Sequence, residues 1–361
     1  MSARWAGSKR QWAWPLVPLY AAGLAAKNAL RAAGVLPTRK LQWPVISIGS
    51  LSAGGAGKTP VVIALAELLK ARGWHVDVLT RGYGRDSSDE RLKDFAAQVV
   101  PDLDDAASRF GDEPTLIARR TGVPVWVGAN RFFAGQAAEN FATEETWDFV
   151  SETIVDIKPA APVRGLHLLD DGFQHRQLAR TLDIVLVTEQ DLHDALLPAG
   201  DLREPLSSLR RADIVVLREP ERARIEARVR ALIRPDGLLW TVRRELRLPN
   251  ETNPGPRPLA FCAIARPDGF WAMLAQAGCQ FVDTVALPDH HRYGMVDMDR
   301  MVAIATERHA TGFLTTEKDA VKLSSPMLER LQSVGPVCVV SLDAKFSDES
   351  EVIRELEARC R

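Results

Sequence analysis

The stretch PVISIGSLSAGGAGKTPVVIALAELLK, residues 44–70, decides the fold. A short β-prone run from Val45 to Ile48 enters a glycine-rich turn, and apolar residues at helical spacing follow it. The order of strand, glycine-rich loop, Gly-Lys-Thr and helix is the context of a phosphate-binding loop. Glycines let the backbone turn tightly and direct its N–H groups at an anion, and the helix adds its positive N-terminal end. This pattern predicts a nucleotide site rather than a purely structural glycine turn.

Lys58 is expected to reach the β- and γ-phosphates of ATP, and the Thr59 hydroxyl to help hold Mg²⁺. The strict motif has glycine six residues before the lysine, where this chain has Ser52. The residues predicted to surround the nucleotide are Ser52, Ala53, Gly54, Gly55, Ala56, Gly57, Lys58 and Thr59.

Length and composition indicate a globular protein of two domains, and the alternation of predicted strands and helices indicates the α/β class. The chain has 361 residues, of which 46% are hydrophobic and 26% charged, with a net charge of −1. Near-neutrality argues against nucleic acid as the main partner. The four cysteines are widely spaced without a CxxC pair, which is typical of reduced, mostly structural thiols rather than a zinc site.

The N-terminus is predicted to be a helix that lies on a membrane surface. Residues 11–26 are uncharged, follow basic residues and contain three aromatic side chains, but they are too few to span a bilayer. Leu16, Tyr20 and Leu24 share one helical face, with Lys27 and Arg31 able to extend towards the headgroups. The alternative is a helix packed against its own domain.

Several further motifs follow strands or begin helices in the first half of the chain. RGYGR (81–85) follows a strand, and FGDEP (110–114) holds two adjacent carboxylates, which are either a helix N-terminal charge pair or a source of a general base. Residues 164–178 contain an apolar strand that ends in Asp170 and Asp171, the form of a Walker B element whose carboxylates bind Mg²⁺. Gln174 in the next loop is placed to orient phosphate or substrate.

Another cluster of charge lies at LPAGDLREP (197–205), where Arg203 could neutralise phosphate charge and Glu204 could contact the metal. The acidic stretch 143–163 is interpreted as a solvated surface insertion.

The predicted division is an N-terminal helix (1–36), a P-loop domain (37–247), a proline-rich linker (248–258) and a smaller α/β domain (259–361). In the last of these, PDHHRY places His290 and His291 after Asp289. Adjacent histidines of this kind usually lie in a surface turn. The alternative is that one of them pairs with a carboxylate across a cleft.

Together these motifs resemble the tetraacyldisaccharide 4′-kinase family of lipid A biosynthesis. The matching stretches, in family order, are IGSLSAGGAGKTP, LTRGYGR, GDEP, LDDGFQHRQL, LPAGDLREP, CAIARPDGFW, PDHHRY and LTTEKDAVK. The resemblance implies a P-loop core with a mostly parallel sheet, a smaller α/β domain and an active site between them.

The resemblance also implies transfer of the γ-phosphate of ATP to the 4′-hydroxyl of a tetraacyldisaccharide 1-phosphate. It implies that Asp112 is the catalytic base and His290 its partner, that Asp170, Asp171 and Gln174 position metal and nucleotide, and that Arg131 and Glu204 are further active-site residues. The implied partners are the acylated lipid substrate and the cytoplasmic face of the inner membrane, with no obligate protein partner.

Two other classes of function compete with a kinase. A P-loop GTPase or metallochaperone switch would need an [NT]-K-x-D motif for guanine, and Thr316-Glu317-Lys318-Asp319 has these letters in the wrong order. A soluble P-loop ligase acting on a carboxylate is less compatible with the N-terminal helix.

Overall fold

The computed structural model describes residues 10–82, 96–143, 164–249 and 253–360. Within these ranges the strands are β1 Val45–Ser50, β2 His75–Thr80, β3 Ala97–Gln98, β4 Val125–Val127, β5 Gly165–Asp170, β6 Leu182–Val187, β7 Ile214–Arg218, β8 Leu238–Arg247, β9 Leu259–Cys262, β10 Asp283–Ala286, β11 Phe313–Thr316 and β12 Val337–Phe346. The α-helices are α1 Val17–Ala32, α2 Lys58–Ala71, α3 Ala106–Phe110, α4 Asp112–Thr121, α5 Arg131–Thr143, α6 Glu219–Arg230, α7 Pro267–Gln276, α8 Met295–Glu307, α9 Glu317–Ala320, α10 Ser325–Gln332 and α11 Glu349–Arg359.

The strands form one sheet in the order β10-β9-β11-β12-β8-β7-β6-β1-β5-β2-β4-β3. All neighbouring pairs are parallel except β12 with β8 and β3 with β4. The predicted α/β class with a mostly parallel sheet is therefore confirmed. Strand β1 lies between β5 and β6, with Ile48 opposite both Asp170 and Ile184, so the phosphate-loop segment and the Asp170 segment leave the sheet side by side.

Strand β1 is buried along its whole length, which suits a central parallel strand with both faces covered. At its end the chain allows no side chain at Gly49, since a Cβ there would lie 2.5 Å from the Cβ of Phe173. This close approach holds the loop after β5 directly against the start of the glycine-rich loop.

Two long strands connect the halves of the sheet. Strand β8 pairs through Leu238–Val242 with β7 and through Val242–Arg247 with β12, whose first part pairs with β11. The last helix, α11, returns to the first half, where Val352 and Leu356 join the core cluster that contains Ile48 and Val62. The division into two domains with a linker at 248–258 stays a prediction.

The N-terminal helix is present, and one residue of its predicted membrane face contacts the protein. The Tyr20 hydroxyl donates to the carbonyl of Arg203 over 2.9 Å, so this side chain faces the protein and not a membrane. Trp12, Trp14, Leu16 and Leu19 remain exposed. Across the described ranges, no helix has both the length and the apolar character needed to cross a bilayer. The acidic stretch interpreted as an insertion lies, apart from Thr143, outside the described residues.

Candidate active site at the phosphate loop

The glycine-rich loop adopts the backbone that its sequence predicts. Gly54, Gly55 and Gly57 have φ values of 85°, 72° and 89°, a region that L side chains rarely adopt, and Lys58 begins α2 directly after them. Thr59, the second residue of α2, is half-buried. The N-terminal end of α2 therefore faces the loop, as a phosphate site requires.

The loop is braced by the LPAGDLREP segment. The amide of Ala53 donates to the carbonyl of Asp201 over 2.9 Å, and the amide of Arg203 donates to the carbonyl of Leu51 over 2.8 Å. Buried Ser52 pairs with Leu202 in an isolated antiparallel β-bridge. The carbonyl of Ser52 accepts a hydrogen bond from Arg203 Nη2 over 3.1 Å. Buried Ala56 completes the loop before Gly57.

Lys58 and Arg203 meet at one carboxylate. Lys58 Nζ lies 3.3 Å from Asp171 Oδ1 and donates to Ser50 Oγ over 3.1 Å. Both terminal nitrogens of Arg203 donate to Asp171, each over 2.7 Å. Burial alone would raise the pKa of Asp171, but the hydrogen bonds from Arg203 and the charge of Lys58 hold it well below its usual range. Asp171 is therefore ionised and holds both cations beside the loop.

Asp170 ends β5 and is almost completely buried. Thr80 Oγ1, at the end of β2, donates to Asp170 Oδ2 over 3.1 Å. Burial, together with the charges of Glu113 and Asp171, raises the pKa of Asp170 to about 7. A nearby cation would favour the ionised form of this side chain.

Gln174 contacts the phosphate loop from the segment after β5. Its Nε2 donates to the carbonyl of Ser50 over 3.0 Å, and its buried Oε1 has no hydrogen-bond partner among the described residues. An unpaired buried acceptor next to the loop is consistent with a ligand group there.

A dyad forms between residues far apart in the sequence. His290 Nδ1 lies 2.9 Å from Asp112 Oδ2, with Nδ1 as the donor because a carboxylate only accepts. Asp112 is buried at the N-terminus of α4, and His290 adopts a left-handed backbone with φ of 59°. Burial opposes ionisation of Asp112, but the hydrogen bond from His290 and the charge of Lys318 leave its pKa below the usual range. The same hydrogen bond raises the pKa of His290.

Lys318 is a functional candidate that the sequence reasoning missed. Its Nζ lies 3.2 Å from Glu113 Oε1, 3.5 Å from His290 Nε2 and 3.9 Å from Asp112 Oδ2. Burial alone would lower the pKa of Lys318, but the charges of Glu113, Asp112 and Asp289 raise it above its usual range. The only signal was the LTTEKDAVK match, to which no role had been attached.

The neighbours of Lys318 in this motif explain its position. Thr316 caps α9 by accepting from the amide of Asp319, and Asp319 is completely buried. Glu317 accepts two hydrogen bonds from Arg120 of α4, over 2.8 and 2.7 Å. The motif therefore fixes Lys318 against α4, which carries Asp112.

Replacing Lys318 with glutamine is expected to lower kcat about 10-fold while KM changes little, because the variant removes the charged group that holds Glu113, His290 and Asp112 in position. Lys318→Arg, which keeps the charge, should restore most of the loss. The measurement is steady-state kinetics for both variants, with the exposed Lys345→Gln as a matched control. A uniform rise in KM without a change in kcat would contradict this positioning role.

Two predicted site residues lie beside this group rather than within it. Arg131, at the start of α5, is buried and donates to the carbonyl of Ala129 over 2.9 Å. Burial and then the charge of Arg131 lower the pKa of His175 to about 4. Buried Glu204 accepts from Arg211 over 2.8 Å, so it pairs with an arginine beside the loop rather than with Lys58. In RGYGR, residues 83–85 lie outside the described residues.

The chain as a whole is similar to known kinases. The family described as Tetraacyldisaccharide-1-P 4'-kinase matches residues 10–361. A tetraacyldisaccharide 4'-kinase of Koribacter versatilis is 37% identical over 96% of this chain and 99% of the relative, and one of Acidovorax sp. JS42 is 36% identical over 92% of this chain and 90% of the relative.

A solved structure is similar over the same extent. The crystal structure of LpxK from Aquifex aeolicus, described as an "apo" form in complex with ATP, superposes with a TM-score of 0.71. It is 29% identical, and the match covers 98% of this chain and 99% of that chain. Because the family match spans nearly the whole sequence, this chain belongs to the tetraacyldisaccharide-1-P 4'-kinase family.

Proposed function

We propose that this protein transfers the γ-phosphate of ATP to the 4′-hydroxyl of a tetraacyldisaccharide 1-phosphate and releases ADP and the 1,4′-bisphosphate. The observation that carries the proposal is the joint presence of a phosphate loop and an Asp–His dyad, whose aspartate is buried, in a member of this family. Phosphoryl transfer needs positioning and charge neutralisation more than covalent help from the protein, and these two groups can supply both.

Lys58, the loop amides and the N-terminus of α2 hold the β- and γ-phosphates. Lys58 Nζ lies 3.3 Å from Asp171. When ATP binds, the ammonium group exchanges this carboxylate for the phosphates. Arg203 keeps its hold on Asp171 and carries positive charge beside the loop. These groups draw charge off the transferring phosphoryl group in the transition state.

Mg²⁺ fits the residues at this loop. The Thr59 hydroxyl and the carboxylates of Asp170 and Asp171 are hard oxygen donors, which Mg²⁺ prefers. Mg²⁺ usually keeps few protein ligands and takes the rest from phosphates and water. When bound, the ion neutralises phosphate charge.

Asp112 accepts the proton of the 4′-hydroxyl as that oxygen attacks phosphorus. Its lowered pKa keeps it ionised at neutral pH, and the hydrogen bond from His290 fixes which oxygen faces the substrate. Gln174 orients the ligand by accepting a hydrogen bond from one of its hydroxyl or amino groups through the unpaired Oε1. Arg131 contributes charge near His175, and Glu204 holds Arg211.

We also propose that the N-terminal helix holds the enzyme on the cytoplasmic face of the inner membrane as a peripheral protein, and its exposed apolar side chains support this. Trp12 and Trp14 are side chains that favour the headgroup region, and Leu16 and Leu19 add apolar area beside them. The acyl chains of the substrate stay in the membrane, and its sugar head enters the site.

The test is ATP-dependent phosphorylation of tetraacyldisaccharide 1-phosphate in neutral detergent micelles. The product is expected to carry one added phosphate at the 4′-position, identified by mass spectrometry and phosphorus NMR. Folded protein that binds ATP but forms no bisphosphate would overturn the proposal and favour a nucleotide switch.

A further inference from the structure

The CAIARPDGFW segment, residues 262–271, has no role in the proposed function, although it continues a buried strand of the same sheet. Within it, Arg266 stands between strand β9 and helix α7, which begins at Pro267. The amide of Ala263 donates to the completely buried carboxylate of Asp319 over 3.1 Å. The backbone that leads to Arg266 is therefore anchored in the core of the second half of the chain.

The side chain of Arg266 reaches from there to the phosphate loop of the first half. A Cβ at Gly55 would lie 2.9 Å from Arg266 Nε, 3.2 Å from its Cζ and 3.3 Å from its Nη2. The guanidinium thus occupies the space that a side chain at position 55 would need. Since Gly55 is three residues before Lys58, this positive charge lies against the middle of the loop.

The guanidinium of Arg266 is not committed to a carboxylate. Within the described part of the chain, its side chain is exposed and takes part in neither a hydrogen bond nor an ion pair. Arg203, which meets the loop at Ser52, differs because both of its terminal nitrogens donate to Asp171. Lys58 lies against the same carboxylate. The donors of Arg266 are therefore available to a ligand at the loop.

Two half-buried arginines add positive charge around Arg266. Arg244 Cδ lies 4.0 Å from the position that a Cβ of Gly57 would take, and Arg218 pairs with Glu221. Burial, followed by the charge of Arg218, lowers the pKa of Arg244, and the charge of Arg266 acts in the same direction. Burial also lowers the pKa of Arg218, again with a contribution from Arg266. An anion bound at the loop would relieve this repulsion.

We propose that Arg266 is a catalytic arginine that contacts the phosphates of ATP at the bond between the β- and γ-phosphates, a conclusion that rests on the proposed function. During transfer, the bond from the γ-phosphorus to the β–γ bridging oxygen breaks. The 4′-oxygen bonds to the same phosphorus, and its proton passes to Asp112. ADP leaves with the additional negative charge on its β-phosphate, and Arg266 stabilises this charge as it develops.

The position of Arg266 selects the leaving-group side of the reaction. Backbone amides of a phosphate loop surround the inner phosphates, and its lysine reaches the β- and γ-phosphates. The guanidinium lies against Gly55, among these amides, whereas Asp112 and His290 serve the attacking hydroxyl. Planar guanidinium groups bind phosphate oxygens in pairs, which suits two neighbouring phosphates. The second half of the chain then completes the nucleotide site of the first half.

The first test is steady-state kinetics with saturating ATP and tetraacyldisaccharide 1-phosphate in neutral detergent micelles. Arg266→Gln is expected to lower kcat about 100-fold, the effect of losing a charged hydrogen bond that is made mainly in the transition state. KM for ATP should change little. Arg266→Lys keeps the charge but not the planar fork, so it should recover part of the loss. Because Arg266 is exposed, both variants should unfold at the wild-type temperature.

The matched control is Arg243→Gln. Arg243 is exposed and precedes Arg244 in β8, so the alternation of side chains along the strand directs it to the other face. It pairs with Glu245, which Lys345 also holds over 2.8 Å, so the substitution leaves no carboxylate without a partner. This control should keep the wild-type kcat. Equal losses in Arg243→Gln and Arg266→Gln, or a wild-type kcat in Arg266→Gln, would overturn the proposal.

The second test measures equilibrium binding of magnesium ADP in the presence of the lipid, with and without aluminium fluoride, which imitates the transferring phosphoryl group. The wild type is expected to bind ADP more tightly when aluminium fluoride is present. Arg266→Gln should bind ADP alone as the wild type does and lose most of this gain. A gain that the variant retains, or no gain in the wild type, would overturn the catalytic role.

The two tests separate this inference from the proposed function. A wild type that forms no bisphosphate would overturn the proposed function. If that protein still bound ADP more tightly with aluminium fluoride, and Arg266→Gln lost the gain, Arg266 would remain a phosphoryl-transfer arginine for a different acceptor. An active wild type with an equally active Arg266→Gln variant would leave the proposed function intact and remove Arg266 from it.

Discussion

Asp112→Asn is expected to lower kcat for phosphorylation of the disaccharide by about 10²- to 10⁴-fold, the contribution of a positioned general base. Asparagine keeps the size of the side chain and can still contact His290, but its amide does not accept the proton of the 4′-hydroxyl. KM for ATP should change little, because Asp112 contacts His290 and Lys318 rather than the phosphate loop. Single-turnover kinetics with saturating ATP measures the chemical step directly.

Two further variants identify the cause of that loss. Asp102→Asn, an exposed residue in the segment before α3, should leave kcat unchanged. In His290→Gln the hydrogen bond that lowers the pKa of Asp112 is weakened, so the pKa rises and the acidic limb of the kcat/KM profile moves to higher pH. A folded Asp112→Asn enzyme with near-normal kcat would remove Asp112 from the role of base.

Local sequence predicted the parts of the site that lie within one strand–loop–helix unit. The glycine positions, Lys58 and the start of α2 follow from spacing, because the conformation of a phosphate loop depends on its own residues. The carboxylates at the end of β5 were recognisable for a similar reason, since an apolar parallel strand ends at the edge where ligands bind. Parallel pairing of β1 with β5 then brings the two motifs together.

The dyad could not be derived from spacing alone. Asp112 and His290 are 178 residues apart, and their pairing depends on how α9 and the loop after β10 pack on α4. By residue chemistry, the GDEP carboxylates suited a helix N-terminus equally well, and only the family resemblance joined them to His290. No local pattern states which side chains meet across such a distance.

The same limit explains the residues that the sequence left without a role. In the sequence, Lys318 is an ordinary lysine in a short helix. It reaches the dyad only because the pairing of Arg120 with Glu317 packs α9 against α4. Arg31 was interpreted as a side chain that reaches towards lipid headgroups, whereas its Nη1 is buried near Arg180 and Arg211. Helical periodicity identified the faces of α1 but not which face packs on the protein, because both faces carry apolar residues.

Lys58→Ala is expected to lower kcat about 1000-fold, since it removes the only side-chain cation predicted to contact the transferring phosphate from within the loop. The variant should still fold. Lys58 Nζ shares Asp171 with Arg203, whose two hydrogen bonds continue to compensate this carboxylate when the lysine is absent. The measurement is the rate of bisphosphate formation, beside thermal unfolding of the same preparations.

The control is Lys70→Ala, at the other end of α2, where Nζ donates to the carbonyl of Thr121 over 2.8 Å. This variant loses a lysine and a hydrogen bond from the same helix but no group near the phosphate loop, so its effect should appear in stability and not in kcat. Lys58→Ala should show the opposite, with a near-normal unfolding temperature and a large loss of kcat. If Lys58→Ala were instead as active as the wild type, the phosphate loop would not be the site of transfer. The phosphate charge would then have to be neutralised by arginines outside the loop, and Arg203 would be the first candidate.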